Sequence, residues 1–241
     1  MQLSLTPFLL AAELGFLLWL ARGRPIAIRY WFWLLAYGLA AAAIGMRNVY
    51  VHPLLLPWLP ALWLQVVTIA AFVVPVLLFP RLREELRQIA DVTPWHWLAW
   101  FHALRIAALG TAYKTQLGEF PVYFELGVGV PDLLFGISAL YVGWRARLGA
   151  LGARGFLWWN VAGVLVIVPA APILLQLGLP GPLQLFDGLP DARAVFAWPM
   201  SIAPMFGVPL FVMLNLGVAW RLAERLASRR PGRQATGSLG E

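Results

Sequence analysis

The sequence predicts an all-α membrane protein, a bundle of about seven transmembrane helices with its N-terminus outside and its C-terminus in the cytoplasm. Three observations predict it. The 241 residues are 61% hydrophobic and only 12% charged, with a mean hydropathy of +0.75, whereas a soluble domain carries roughly a quarter charged residues. Such a chain has too little polar surface to hide its apolar side chains in water. Apolar runs suited to a ~30 Å hydrocarbon core, which takes ~20 residues at 1.5 Å rise, recur seven times. Between those runs, basic residues alternate between rich and poor loops.

The first run, 4–20, lacks a basic segment before it, and Arg22 and Arg24 follow it instead. That order predicts a retained span entering with its N-terminus outside, not a cleaved signal peptide. The second, 30–46, sets Gly38, Ala42 and Gly45 on one face, a small-residue stripe that favours packing within the chain. After the third run, 57–79, Leu82, Leu86 and Ile89 recur at helical spacing among Arg83, Glu84, Glu85, Arg87 and Gln88. This stretch, about 81–91, reads as an amphipathic helix lying on the inner leaflet. The fourth run, 95–113, follows Thr93 and Pro94, which suit an N-cap and a first helical position, and Trp95, Trp97 and Trp100 suit the membrane interface. The fifth run is 124–144. The sixth, 155–177, contains Pro169 and Pro172, and the seventh, 195–220, contains Pro199, Pro204 and Pro209; kinks are expected where proline frees backbone carbonyls. Loops 50–63, 115–124 and 178–196 are rich in Pro and aromatics and are expected to pack on the outer surface. No internal repeat is read. The whole makes one transmembrane domain, 1–228, followed by a Gly-, Ser- and Arg-rich tail, 229–241, expected to be disordered.

Orientation comes from counting. Arg22, Arg24 and Arg29 follow the first run, and Arg47 alone the second. Arg81, Arg83 and Arg87 follow the third, and Lys114 alone the fourth. Arg145, Arg147 and Arg154 follow the fifth, and Arg193 alone the sixth. Arg221, Arg225, Arg229, Arg230 and Arg233 close the chain. The positive-inside rule puts each rich loop in the cytoplasm. The fourth run is the weakest, because His102 and Arg105 interrupt it and a central Arg costs ~2.5–3.5 kcal/mol on insertion scales. Removing it would place Arg145, Arg147 and Arg154 outside, so it is kept as a span.

Several chemistries are set aside. Cysteine is absent, which removes disulfides, zinc ribbons, iron–sulfur clusters and thiol chemistry within the chain. There is no HExxH, GxSxG or P-loop pattern, and nothing argues positively for an enzyme. The sole lysine, Lys114, is not in the last helix, where a retinal Schiff base would need it. Bis-histidine haem is not expected, since His52 falls in an outer loop and His96 at the inner interface. No cofactor or metal is expected. The net charge of +7 is accounted for by topology signals, so the expected partner is the lipid bilayer and not nucleic acid.

Intramembrane ionisable residues are the strongest pointers to function, because each is costly in hydrocarbon and persists when paired, hydrated or useful. Four lie well inside the runs: Glu13, His102, Arg105 and Asp132. At 1.5 Å per residue, Glu13 lies roughly 14 Å below the outer end of the first run, Arg105 roughly 15 Å above the inner end of the fourth and Asp132 roughly 12 Å below the outer end of the fifth, all near the midplane. His102 shares a helix face with Arg105. The fourth and fifth runs should be antiparallel neighbours, so an Arg105–Asp132 ion pair is expected. Glu13 then either shares Arg105 or His102, or stays protonated because burial disfavours a charge. Two outcomes follow from this cluster, a charge-neutralising lock between helices or a site for a substrate or proton. In 127–132, Gly-Val-Gly-Val-Pro-Asp, glycine permits close contact and Pro131 removes one backbone hydrogen bond beside the carboxylate. The glycine–aspartate spacing of intramembrane aspartyl proteases is not reproduced there. Gln65, Asn160 and Asn215 are read as interhelical glue.

The stretch from Trp97 to Trp144, with Phe101-His102-Ala-Leu-Arg105 and Gly129-Val-Pro-Asp132-Leu-Leu-Phe-Gly136, resembles uncharacterised bacterial multi-pass membrane proteins. The resemblance covers about a fifth of the chain. It implies a bacterial membrane protein and a grouping of His102, Arg105 and Asp132, with no assigned activity; the expected location is the bacterial inner membrane. The expected function is a small-solute or proton-linked transporter using the midplane cluster. The alternative is a structural or assembly subunit that meets a membrane-protein partner.

Overall fold

The computed structural model describes residues 5–52 and 62–228. The expected disordered tail, the beginnings of the first and third apolar runs and most of loop 50–63 lie outside the described residues. Among the described residues the chain is helical, with no strand. Four helices are long and apolar enough to cross a membrane: Pro25–Met46, Val122–Arg147, Ala153–Gly178 and Ala203–Ser228. A fifth qualifies if Leu64–Leu78 and Pro80–Val92, bent by 99°, are counted as one.

Helix α1 (Thr6–Ala21) and α2 (Pro25–Met46) form a hairpin. Gly23, at φ 75°, takes the left-handed conformation that the tight connection requires, and Pro25 starts α2 where its missing N–H costs nothing. Gly38 and Gly45 bury their face of α2. A Cβ on Gly38 would sit 3.2 Å from the Phe206 ring, and one on Gly45 would meet Ser201 and Trp198. The stripe of small residues therefore packs within the chain.

Helix α3 (Leu62–Leu78) contains Pro75. That proline leaves the carbonyl four residues earlier, Ala71, without its helical donor, and Trp33 Nε1 donates to it at 2.8 Å. Tyr30 OH donates to Phe72 O at 2.7 Å, and Tyr37 and Thr68 pair hydroxyls at 2.8 Å. The aromatics of α2 thus satisfy the proline-disturbed backbone of α3.

Helix α4 (Pro80–Val92) turns away sharply, burying Leu82 and Ile89 while Arg83 and Glu84 remain exposed. Its polar face is tied down at both ends. Glu85 accepts from the Ala27 N–H at 2.7 Å, satisfying an orphan donor in the first turn of α2. Asp91 pairs with Arg221 Nε and Nη2, both at 2.7 Å, and with Arg225 at 2.6 Å. The bidentate hydrogen bond from Arg221 holds the Asp91 carboxyl below its usual range, with Arg225 adding to the effect. One expectation is corrected here. Thr93 does not cap the following helix, since its hydroxyl donates back to Ile89 O at 2.7 Å and closes α4, leaving Pro94 at the cap position.

The fourth apolar run is broken. Helix α5 (Trp95–Phe101) tightens into a 3₁₀ segment, His102–Ala108, before α6 (Leu109–Gln116) resumes. A 3₁₀ run of this length is unusual and commonly marks strain or a hinge. It lies against α8 (Val130–Arg147), where a Cβ on Gly136 would come within 2.9 Å of Ile106 N and 3.0 Å of the Arg105 backbone.

Two later helices carry π-turns of the same design. Short α7 (Val122–Phe124) leads into Glu125–Gly129, where the Val130 N–H reaches back five residues to Glu125 O. Ala203–Gly207 precedes α12 (Val208–Ser228), and the Val208 N–H reaches Ala203 O in the same way. Both turns end in Gly-Val-Pro, at 129–131 and 207–209. Proline supplies no N–H to the ladder, and the wider turn just before it absorbs the mismatch. The last helix accordingly begins at Ala203 and not at 195, because Pro199 and Pro204 keep the preceding backbone irregular. Within the sixth run a turn at 166–169 separates α9 (Ala153–Leu165) from α10 (Ala170–Gly178), beside Pro169. At the end away from α4, α11 (Arg193–Phe196) and loop residues Leu179 and Ala192 bury against Tyr50, Phe120 and Phe124.

Candidate functional site: a buried ion pair at the end of a cavity

Arg105 is fully buried on the 3₁₀ segment, and its Nη1 lies 3.1 Å from Asp132 Oδ1 in the first turn of α8. The same guanidinium donates through Nη1 and Nη2 to Gly163 O at 3.1 and 3.2 Å. That carbonyl is free because α9 is ending: the Ile167 N–H, its ordinary helical donor, goes to Val164 O instead. Gly163 also makes room, since a Cβ there would strike Phe135 and Asn215. Above and below, the guanidinium carbon lies 4.6 Å from the Phe135 ring centroid and 5.0 Å from that of Phe211. One carboxylate, one carbonyl and two ring faces therefore hold the charge.

His102 is buried one turn away among the rings of Phe101, Phe135, Trp159 and Phe211, with centroids 5.6–5.9 Å from its own. Neither ring nitrogen has a hydrogen-bond partner among the described residues. Glu13 is also fully buried but joins neither Arg105 nor His102. Its carboxyl lies against Gly207, the last residue of the second π-turn, where a Cβ would sit 2.9 Å from Oε1. Three of the four sequence candidates thus lie together, and the fourth lies apart from them against the second π-turn.

A fifth residue belongs with them. Glu125 opens the first π-turn, is 3% exposed, and folds its carboxyl over Gly129. It lies within electrostatic reach of Asp132. Its oxygens accept no well-aligned hydrogen bond, because the neighbouring Thr111 hydroxyl donates to Ala108 O at 2.8 Å. Each π-turn therefore ends on a glycine that makes room for a buried carboxyl. Glu125 fell at the edge of an apolar run, where carboxylates are ordinary; the repeated Gly-Val-Pro was the signal that would have raised it.

A cavity of about 670 Å³ is lined by Lys114 near the end of α6 and loop residue Glu119 and, deeper in the helices, by Arg105 and Asp132. Its wall between those ends is mainly apolar, with Gln65, Thr68 and Thr111 among the few polar exceptions. The Asp132 side chain keeps 13% exposure, while Arg105 has none. The carboxylate is the polar face of the pair toward the cavity. Asn160 donates to Phe156 O at 2.8 Å inside its own helix, and Asn215 is buried beside Gly163. Among the described residues, no group of three or more His, Cys, Asp or Glu side chains is placed to hold a metal ion.

Fold and site together define a helical protein with several helices able to cross a membrane and an ion pair buried between them. Residues 61–223, more than half of the chain, match the family model described as Domain of unknown function (DUF8737), so the chain belongs to that family. The match includes His102, Arg105, Glu125 and Asp132 and leaves out α1 with Glu13. No curated protein and no solved structure matches the chain.

Proposed function

We propose that this is a bacterial inner-membrane transporter for a small solute, which binds in the cavity with the Arg105–Asp132 pair as its polar contact. The observation that carries the reading is that the cavity ends on Asp132, a carboxylate held by Arg105 on one side and open to the cavity on the other. A pair serving only as a lock would be sealed on all sides. The proposal includes about seven spans in one domain, 1–228, with the N-terminus outside and the C-terminus in the cytoplasm. It is supported by the alternation of basic loops and by a fourth run interrupted by a 3₁₀ segment, a local adjustment that membrane helices tolerate beside neighbouring helices. Proton linkage is part of the reading, with Glu13 and Glu125 as the carboxyls that lack a counter-ion. A structural or assembly role is the second reading, favoured by Arg105 itself, which joins α8, α9 and the 3₁₀ segment.

The absence of cysteine makes the test clean, because Ala108→Cys places a single thiol on the cavity wall. Transport requires that this thiol react with a membrane-impermeant maleimide from outside in intact cells and from the cytoplasmic side in inverted vesicles. Reaction from one side only, under every condition tried, contradicts transport and favours the structural role.

A further inference from the structure

We propose that the cavity takes its ligand from the hydrocarbon phase of the bilayer, and that the ligand is a neutral amphiphile whose hydroxyl head binds the Arg105–Asp132 pair. The inference rests on the cavity being a solute site, as proposed above, and adds the route and the chemical class. The route is set by the rim. Leu5, Ile69, Tyr113 and Leu117 all line the cavity and yet are 55–63% exposed. Ile69 belongs to α3 and Tyr113 to α6, helices that do not pack along one another. Lys114 and Glu119 line the cavity as well, but an opening between Ile69 and Tyr113 faces lipid with no penalty and offers a water-borne polar solute little to replace its hydration.

The body of the ligand follows from the wall. A volume of about 670 Å³ falls within the ~300–1,000 Å³ of ordinary small-molecule pockets, and a wall of Leu64, Phe120, Ile167 and Leu175 favours hydrocarbon. The head follows from charge. Arg105 and Asp132 already neutralise one another, so an anionic head would be repelled by Asp132 and by Glu125 nearby. A cationic head would lose its hydration against an apolar wall while the Arg105 guanidinium, 3.1 Å behind Asp132, already neutralises that carboxylate. What the site leaves open toward the cavity is acceptor capacity, since Arg105, whose Nε has no partner among the described residues, is wholly buried while Asp132 keeps exposure. The Asp132 carboxylate faces the cavity, while the Arg105 Nη donors are committed to Gly163 O and Asp132. A neutral O–H donor fits that vacancy and adds no charge to a low-dielectric site.

The test uses the full chain in nanodiscs of zwitterionic phospholipid. The probe is a long-chain alcohol carrying a photoactivatable diazirine, compared with the same chain as a methyl ether and as a carboxylic acid. Saturable cross-linking to α3 and α6 peptides is expected, about tenfold or more stronger for the alcohol than for the ether, since a hydrogen bond to a charged acceptor is worth about that factor. Asp132→Asn should bring the alcohol down toward the ether. Ile69→Trp, at the mouth and away from the ion pair, should reduce labelling while leaving thermal stability unchanged, and it decides the matter if Asp132→Asn does not fold. Equal labelling by alcohol and ether, preference for the acid, or indifference to Ile69→Trp overturns the inference. Its failure is distinguishable from that of transport. Labelling as expected, with the Ala108→Cys thiol reactive from one side only, leaves a binding site without transport, and the converse leaves a transporter for another solute.

Discussion

At the scale of single residues, the molecule depends on how it holds the Arg105 charge, through Asp132, Gly163 O and two rings. A buried charge that loses its partner costs ~3–5 kcal/mol, whereas replacing both members by apolar groups of similar size is often neutral. Asp132→Leu is therefore expected to lower the thermal midpoint strongly in detergent. The double substitution Arg105→Met with Asp132→Leu should recover most of the loss. A double variant as unstable as the single one would mean that Arg105 is held mainly by Gly163 O and the rings. Gly136 is the second sensitive position, because the Arg105–Ile106 backbone fills the space of its missing side chain. Gly136→Ala should cost ~1–3 kcal/mol by overpacking, read as a lower thermal midpoint, while Gly217→Ala, with open space around it, serves as the control.

At the scale of elements, α4 is a strap held by charge and the π-turns are joints set by proline. The strap gives a pH dependence whose sign is fixed. Asp91 has a carboxyl lowered in the folded state by Arg221 and Arg225. Its contribution is then fully present above the unfolded aspartate value of ~3.9 and disappears as pH falls through the lower folded value. Thermal midpoints measured from neutral to acid pH should show a loss confined to that acid window, and Asp91→Asn should be lower at neutral pH and lack that part of the slope. Loss beginning near neutrality would assign the transition to another group. The joints explain why element boundaries were only partly legible. Apolar runs announced the helices, and Pro169 marked the turn within the sixth run. Nothing in 102–108, which holds neither Pro nor Gly, announced a 3₁₀ segment, because its cause is Gly136 on another helix. The docking of α4 was equally hidden, since the partners Asp91 and Arg221 are 130 residues apart.

At the scale of the whole molecule, charge alternation and the cavity make one account. The basic loops predict that a fluorescent-protein fusion after Ser228 is bright and an alkaline phosphatase fusion there inactive, with the reverse for fusions at Gly118. The same activities at both positions would contradict the orientation. Of the candidate site, Arg105, His102 and Asp132 were legible because ionisable groups stand out in apolar runs. Glu125 was not, and the separation of Glu13 was not, because depth along a helix says nothing about which neighbouring helix a residue faces, here Gly207 of the second π-turn. The most direct test of the central claim, that a membrane-embedded cavity ending on Asp132 holds a ligand, is electron cryomicroscopy of the protein in lipid nanodiscs. The account predicts elongated density entering between α3 and α6 and ending at the Asp132 carboxylate. A closed interface there, with Asp132 sealed by protein side chains, would contradict it.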